Sequence, residues 1–359
     1  MRLLLLQTLI VSTVVLVGAN STRAGLLVEA VVVDPRPAAT GALATDGSSL
    51  FTVSPVTTAP FVRVFSVPVG GGALTQLYSY NGQAIPNFVA PSGIAVLGED
   101  LYWIDAQSGS ITDTQILSAP KDGSGSVTAI YNGRTVGEPI VDGASLATDG
   151  SKLYTADRVQ GRIHSLNPDG SGITQLASRY GGFFDRAHGS AIAVLDGTVW
   201  IADSGLAGFG DTPPRVQSVS ISGGAVSTLF LGALADFRPN GIAVGADLIY
   251  LSNGNQILQM PRAGGTPSLF LTDPSFGSLG SLVLHGDTLY AMDAGATTIW
   301  RISPTAVPEP SSVALLGMGA LGLVGVAWRR RSAARGWKNP ESNSARESCG
   351  AKDAETNAP

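Results

Sequence analysis

Cysteine is almost missing from this chain. Of 359 residues only Cys349 is one, so no intramolecular disulfide can form and the fold must rest on packing. Charge is scarce as well. Asp, Glu, Lys and Arg make up 14% of the residues, against ~25% in an ordinary soluble protein. The balance is mildly acidic, with a net charge of -5 and a pI of about 5.2. No basic patch with interleaved aromatics is present, which excludes nucleic acid as a partner. The three histidines and the lone cysteine form no zinc-spaced set. Nor is there a phosphate loop, a nucleophile elbow or a pair of catalytic carboxylates.

What the chain has is repetition. Pro91 to Tyr131 reads as a four-stranded antiparallel unit. The apolar run Gly93–Leu97 turns at Gly98-Glu99-Asp100 into Leu101–Asp105, where Leu101, Trp103 and Asp105 share a face. Ile116–Ala119 follows, then an Asp122-Gly123 hairpin, then Val127–Ile130. The first half recurs as GALATDGSSLFTVS from Gly41, SGIAVLGEDLYWID from Ser92, ASLATDGSKLYTAD from Ala144, SAIAVLDGTVWIAD from Ser190, NGIAVGADLIYLSN from Asn240 and GSLVLHGDTLYAMD from Gly280. The second half recurs as KDGSGSVTAI, PDGSGITQLA, SGGAVSTLFL and AGGTPSLFLT. A spacing of roughly 40 to 52 residues suits propeller blades. The expected fold is all-β, a six-bladed β-propeller of four-stranded antiparallel blades. The last copy lacks a fourth strand, and Leu26–Val33 has no partner of its own. Closing the ring with this N-terminal strand removes an open edge.

LYWIDAQSGSI with KDGSGSVTAI resembles the YWTD repeat, and LYTADRVQGRI and VWIADSGLAGF resemble NHL and gluconolactonase-like propellers. Arg238-Pro239-Asn240-Gly241 is similar to a Pro-Asn-Gly segment of the gluconolactonase-like family. In that family the asparagine ligates a divalent metal, so Asn240 would inherit a place at a Ca2+ or similar site. The resemblance also calls for an early glutamate and a late aspartate, which Gly41–Leu43 and Gly280–Leu282 do not supply.

The ends carry addresses. Residues 1–24 read as a signal peptide: Arg2, the apolar stretch Leu3–Val17, and a cleavage point after Ala24. Residues 25–306 are then the propeller. In 307–331, Pro308-Glu309-Pro310, the apolar Ser312–Trp328 and Arg329-Arg330-Arg331 together resemble the PEP-CTERM sorting signal of Gram-negative bacteria. The resemblance implies a membrane-embedded exosortase as partner, one C-terminal transmembrane helix before processing, export, and a final place at the cell surface or in an extracellular matrix. Residues 332–359 are a polar tail, expected to be disordered.

Strand order sorts the connections onto two faces. Those between first and second strands are short, and those between second and third strands or between blades are long. Function concentrates on such loops. The long set presents Phe183, Phe184, Asp185, Arg186, Phe209, Asp211, Phe237 and Arg238, which suit a glycan or matrix-protein ligand or, alternatively, cover the scaffold. His188 opens an inner strand as a candidate acid or base. Asp105, Asp157, Asp203, Asn253 and Asp293 close successive second strands, and their recurrence fits a structural role. The leading expectation is a non-enzymatic binding or scaffold protein; the alternative is a metal-dependent lactonase-like hydrolase or lyase.

Overall fold

The computed structural model describes residues 21–23, 26–33, 42–55, 62–80, 89–107, 114–133, 140, 143–157, 160–178, 191–205, 213–294 and 298–304. The chain divides into two units, Met1–Thr305 and Ala306–Pro359, and every described residue belongs to the first. The expected signal core, the transmembrane helix and the polar tail lie outside the described residues.

Six antiparallel sheets follow one another around a ring. Blade I is Ala42–Thr45, Ser49–Pro55, Val62–Pro68 and Thr75–Tyr80. Blade II is Val89–Leu97, Asp100–Gln107, Thr114–Pro120 and Thr128–Asn132. Blade III is Gly143–Thr148, Leu153–Asp157, Arg162–Leu166 and Thr174–Ser178. Blade IV is Ala191–Leu195, Thr198–Asp203, Arg215–Ser220 and Ser227–Leu231, and blade V is Gly241–Val244, Leu248–Asn253, Gln256–Pro261 and Ser268–Thr272. Blade VI takes Leu279–His285, Thr288–Asp293 and Thr298–Pro304 from the end of the propeller and Leu26–Val33 from its beginning. The closing strand runs antiparallel to Thr298–Pro304, with Leu26 opposite Pro304 and Val33 opposite Thr298. Ser21–Arg23 pairs outside it as a fifth strand, which the sequence pattern did not suggest.

Alternation along each strand sends apolar side chains to both sheet faces, so every blade needs two neighbours. The buried residues accordingly form six clusters, one per interface. Trp103, Leu101, Val64 and Tyr78 join blades I and II, while Val31, Leu43, Tyr290 and Ile299 join VI to I. Each such buried side chain contributes roughly 1.5–3 kcal/mol, which is how a ring without disulfides holds. In all six blades the pairing of third and fourth strands shifts register, for example at Val64/Phe65, Ile163/His164 and Ile257/Leu258. The same irregularity occurs at Ala129/Tyr131, Val216/Gln217 and Ala30/Val32. A bulge adds twist at the rim, as a fanned blade requires.

Glycine in the hairpin between third and fourth strands sets the distance between blades. A Cβ on Gly170 (φ +81°) would overlap the carbonyl oxygen of Ile130 in the preceding blade. Gly224 N–H and Gly265 N–H donate to Leu176 O and Leu229 O of the blades before them, at 3.1 and 3.3 Å. Gly71 and Gly123 approach Val31 and Leu77 in the same way. Five interfaces thus carry such a hairpin. The V–VI interface does not, because the outer strand of blade VI arrives from the other end of the chain.

Candidate functional site

The first strands line a central cavity of about 310 Å³. Its wall runs from Leu43, Ile94, Leu146, Ile192, Ile242 and Leu282 down to Thr45, Thr148 and His285, the turn residues of the short-connection face. One residue above this wall, each inner strand has a small side chain: Ala42, Gly93, Ser145, Ala191, Gly241 and Ser281. Ser145 Oγ accepts from Ile192 N–H at 3.2 Å and Ser281 Oγ from Leu43 N–H at 3.1 Å, each bond crossing to the next blade. A Cβ on Gly241 would overlap Gly280 O. Among the described residues, no titratable side chain other than His285 at the lower mouth lines the cavity. Among the described residues no three of His, Cys, Asp and Glu converge.

The short-connection face is regular. Asp46 Oδ1 accepts from Ser48 N, Ser48 Oγ and Ser49 N at 2.8–2.9 Å, and Asp149 repeats the turn with Ser151 and Lys152. Partial burial works against the charge of Asp149, but hydrogen bonds from Tyr154, Lys152 and Ser151 outweigh it and hold the carboxyl at about 2. Cations in the outer hairpins reach back one blade: Lys121 lies 3.4 Å from Asp46, and Arg262 lies 2.9 Å from Asp196 while covering the Trp200 ring at 5.2 Å.

The opposite face is where the sequence placed its candidates. The five repeated second-strand termini are buried or half-buried and occupied with local bonding. Asp293 accepts from Gly277 N–H, Ser278 N–H and Trp300 Nε1–H at 2.7, 2.9 and 3.2 Å, fixing the connection from blade V. Asn253 does the same one blade earlier, accepting from Arg238 N–H at 2.7 Å and donating to Asp236 O at 3.1 Å. Asp203 accepts from Gly205 N–H and lies 3.4 Å from Arg215, and Asp157 accepts from Gln160 N–H. Asp105 meets the Tyr80 hydroxyl of blade I, and Trp103 Nε1–H donates to Tyr80 Oη at 2.8 Å. Burial first, then the Asp105 charge, pushes the Tyr80 phenol far above its ordinary value.

Phe237 is corrected by the structure. The chain from Ala233 makes a helical turn, with Asp236 N–H and Phe237 N–H both donating to Ala233 O. That turn drives Phe237 into the IV–V core, 5% exposed and edge-on to Phe230 at 5.1 Å, so its ring faces no ligand. Arg238 stays exposed, with Nε donating to Leu234 O. Asn240 is exposed and its N–H donates to Ser252 O. Phe183, Phe184, Asp185, Arg186, His188, Phe209 and Asp211 lie outside the described residues, as do Pro308, Glu309, Pro310 and Arg329, Arg330 and Arg331.

One row escaped the sequence reading. Each second-strand terminus stands directly opposite the start of the third strand: Asp105 opposite Gln115, Asp157 opposite Arg162, Asp203 opposite Arg215, Asn253 opposite Gln256 and Asp293 opposite Thr298. Blade I has an arginine there, as blades III and IV do, but no acid, pairing Ser54 with Arg63. Among the described residues the buried Nε of Arg63 has no hydrogen-bond partner, as is also true of Arg215 Nε. The signal available in the sequence was the serine of LFTVS at the position of the aspartate in LYTAD.

Residues 306–331 match the PEP-CTERM protein-sorting motif. No curated protein matches the chain. Among solved structures, the ring is similar to a chain of the nidogen/laminin complex, with TM-score 0.50 and 15% identity over 64% of this chain and 82% of that one. It is also similar to a gluconolactonase from Xanthomonas campestris, with TM-score 0.57 and 14% identity over 78% and 90%. Likeness at such identities is a likeness of fold. The chain is a six-bladed, all-β propeller that carries a PEP-CTERM sorting motif near its C-terminus.

Proposed function

We propose that this is an exported, exosortase-sorted propeller that binds a glycan or matrix partner through its long-connection face and does no chemistry of its own. The observation that carries the reading is the contrast between the two faces. Regular turns and cross-blade ion pairs occupy one, while the other gathers the long and dissimilar connections that a rigid ring can display. The sorting motif supports a place at the cell surface or in an extracellular matrix, and exosortase as processing partner. The residues that lead into the six inner strands are Gly41, Ser92, Ala144, Ser190, Asn240 and Gly280. They supply one amide and no carboxylate, a poor set for a hard cation that takes six or more oxygens.

The test uses protein purified from its secreting host. Phe183→Ala with Phe209→Ala is expected to abolish retention on the host's own polysaccharide, while Asn240→Ala and His188→Ala leave retention unchanged. Turnover of any member of a lactone panel, lost in Asn240→Ala without a drop in melting temperature, would overturn the reading in favour of a hydrolase.

A further inference from the structure

Blade I breaks the acid–arginine pairing that blades III and IV keep. At its long-connection end the half-buried Arg63 has Ser54 on one side and Ser79 on the other in the strand ladder. It shares its sheet face with Val67, which packs in the cluster between blades VI and I. Among the described residues its buried Nε–H has no hydrogen-bond partner, and neither has Nε–H of Arg215, so what sets blade I apart is the missing acid. In blade IV the corresponding guanidinium, Arg215, has the Asp203 carboxylate at 3.4 Å from Nε. In blades III and IV the fold itself places a carboxylate opposite this arginine, and blade I omits it.

We infer that Arg63 receives the carboxylate of a ligand, which takes the place that Asp157 and Asp203 fill in blades III and IV. A planar guanidinium fork matches a carboxylate in geometry and charge, and a partly desolvated cation with no carboxylate partner among the described residues favours an anion over a neutral group. The Ser79 hydroxyl, opposite Arg63 on the same sheet face, supplies a neutral donor beside it. Resting on the glycan-binding reading above, the inference names the ligand's chemistry: a uronate, a sugar that bears one carboxylate per ring.

The experiment titrates the secreted protein with oligogalacturonate and with its methyl ester, which has the same rings without the charge. Oligogalacturonate is expected to bind at least about ten-fold more tightly than the ester, the scale of a charge-assisted hydrogen bond. Arg63→Gln is expected to bring both ligands to the ester's affinity with no fall in melting temperature. Ser54→Asp, which restores the internal carboxylate, is expected to do the same by occupying the guanidinium.

Equal binding of acid and ester, or wild-type affinity in Arg63→Gln, overturns the inference. So does an Arg63→Gln melting temperature several degrees lower, because the guanidinium would then be matched within the fold. Arg63-dependent binding of poly-glutamate in place of oligogalacturonate overturns the uronate. If a neutral polysaccharide binds and no acid does, this inference fails while the glycan reading stands. If nothing binds, both fail.

Discussion

The two ends of each blade differ in how strictly they repeat. At the short-connection end, blades I and III use the same Asp-turn, and hairpin glycines approach the preceding blade at five interfaces. At the long-connection end the same ladder position holds Ser54, Asp105, Asp157, Asp203, Asn253 or Asp293, and each acid or amide engages different neighbours. The short end sets the spacing of the ring, a requirement common to all blades. The long end anchors connections that differ in length, so each solution is local. A residue out of pattern therefore means little at the long end in general, and more where, as at Arg63, a cation stands without the acid that faces it in blades III and IV.

Substitutions can break this contrast, beginning with the largest effect. Gly170→Ala places a Cβ against Ile130 O at a positive φ, and two backbones must separate. We expect a loss of about 4 kcal/mol or more in a denaturant melt, at the upper end for single substitutions. Gly98→Ala has positive φ but open space around it and should cost about 1 kcal/mol. Equal losses would mean that blade spacing is not set by the hairpins.

Asp293→Ala strands two loop N–H groups and the indole of Trp300. A loss of about 3 kcal/mol is expected, with faster amide exchange confined to Gly277 and Ser278. Asp149→Ala, which removes the counterpart at the short end, leaves its turn donors open to water and should cost about 1 kcal/mol.

His164 gives the pH dependence. It stands opposite Thr155 at the ladder position that holds Phe65, Leu117, Gln217, Leu258 and Trp300 elsewhere, and neither ring nitrogen has a partner. Burial, with a smaller contribution from Arg162, lowers its pKa from 6.5 to about 4. The unfolded chain therefore takes up a proton before the folded one does. Stability is intact above about pH 6.5 and falls as the pH drops towards 4, by up to about 3 kcal/mol. In His164→Leu this part of the acid loss should vanish from a series of melts between pH 7 and 4. The smallest effect belongs to Lys121→Ala, whose ion pairs with Asp46 and Glu99 lie at the surface. Only a small loss is expected there, fading with added salt.

Much of the ring was legible in the sequence because propellers repeat. The alanine at the centre of five inner strands, with Val283 in the sixth, the second-strand pattern and the Gly-rich hairpins located six copies, and the unpaired LLVEAVVV located the closing strand. The third-to-fourth strand bulges were not legible, since they shift pairing without changing residue type. Phe237 was misplaced because one aromatic in a long connection has no period to show which way it points. The opposition of Ser54 and Arg63 also needed the structure. The second-to-third connection varies in length from blade to blade, so sequence spacing does not fix the register across it.

The most direct measurement is the melting temperature of Ser54→Asp without ligand. The central claim is that blade I lacks an internal carboxylate of the kind that blades III and IV hold opposite an arginine. It predicts a rise of about 2 °C or more, the scale of ~1 kcal/mol in a domain of this size. A fall in melting temperature would contradict it, showing that Arg63 is already matched and that blade I is no exception.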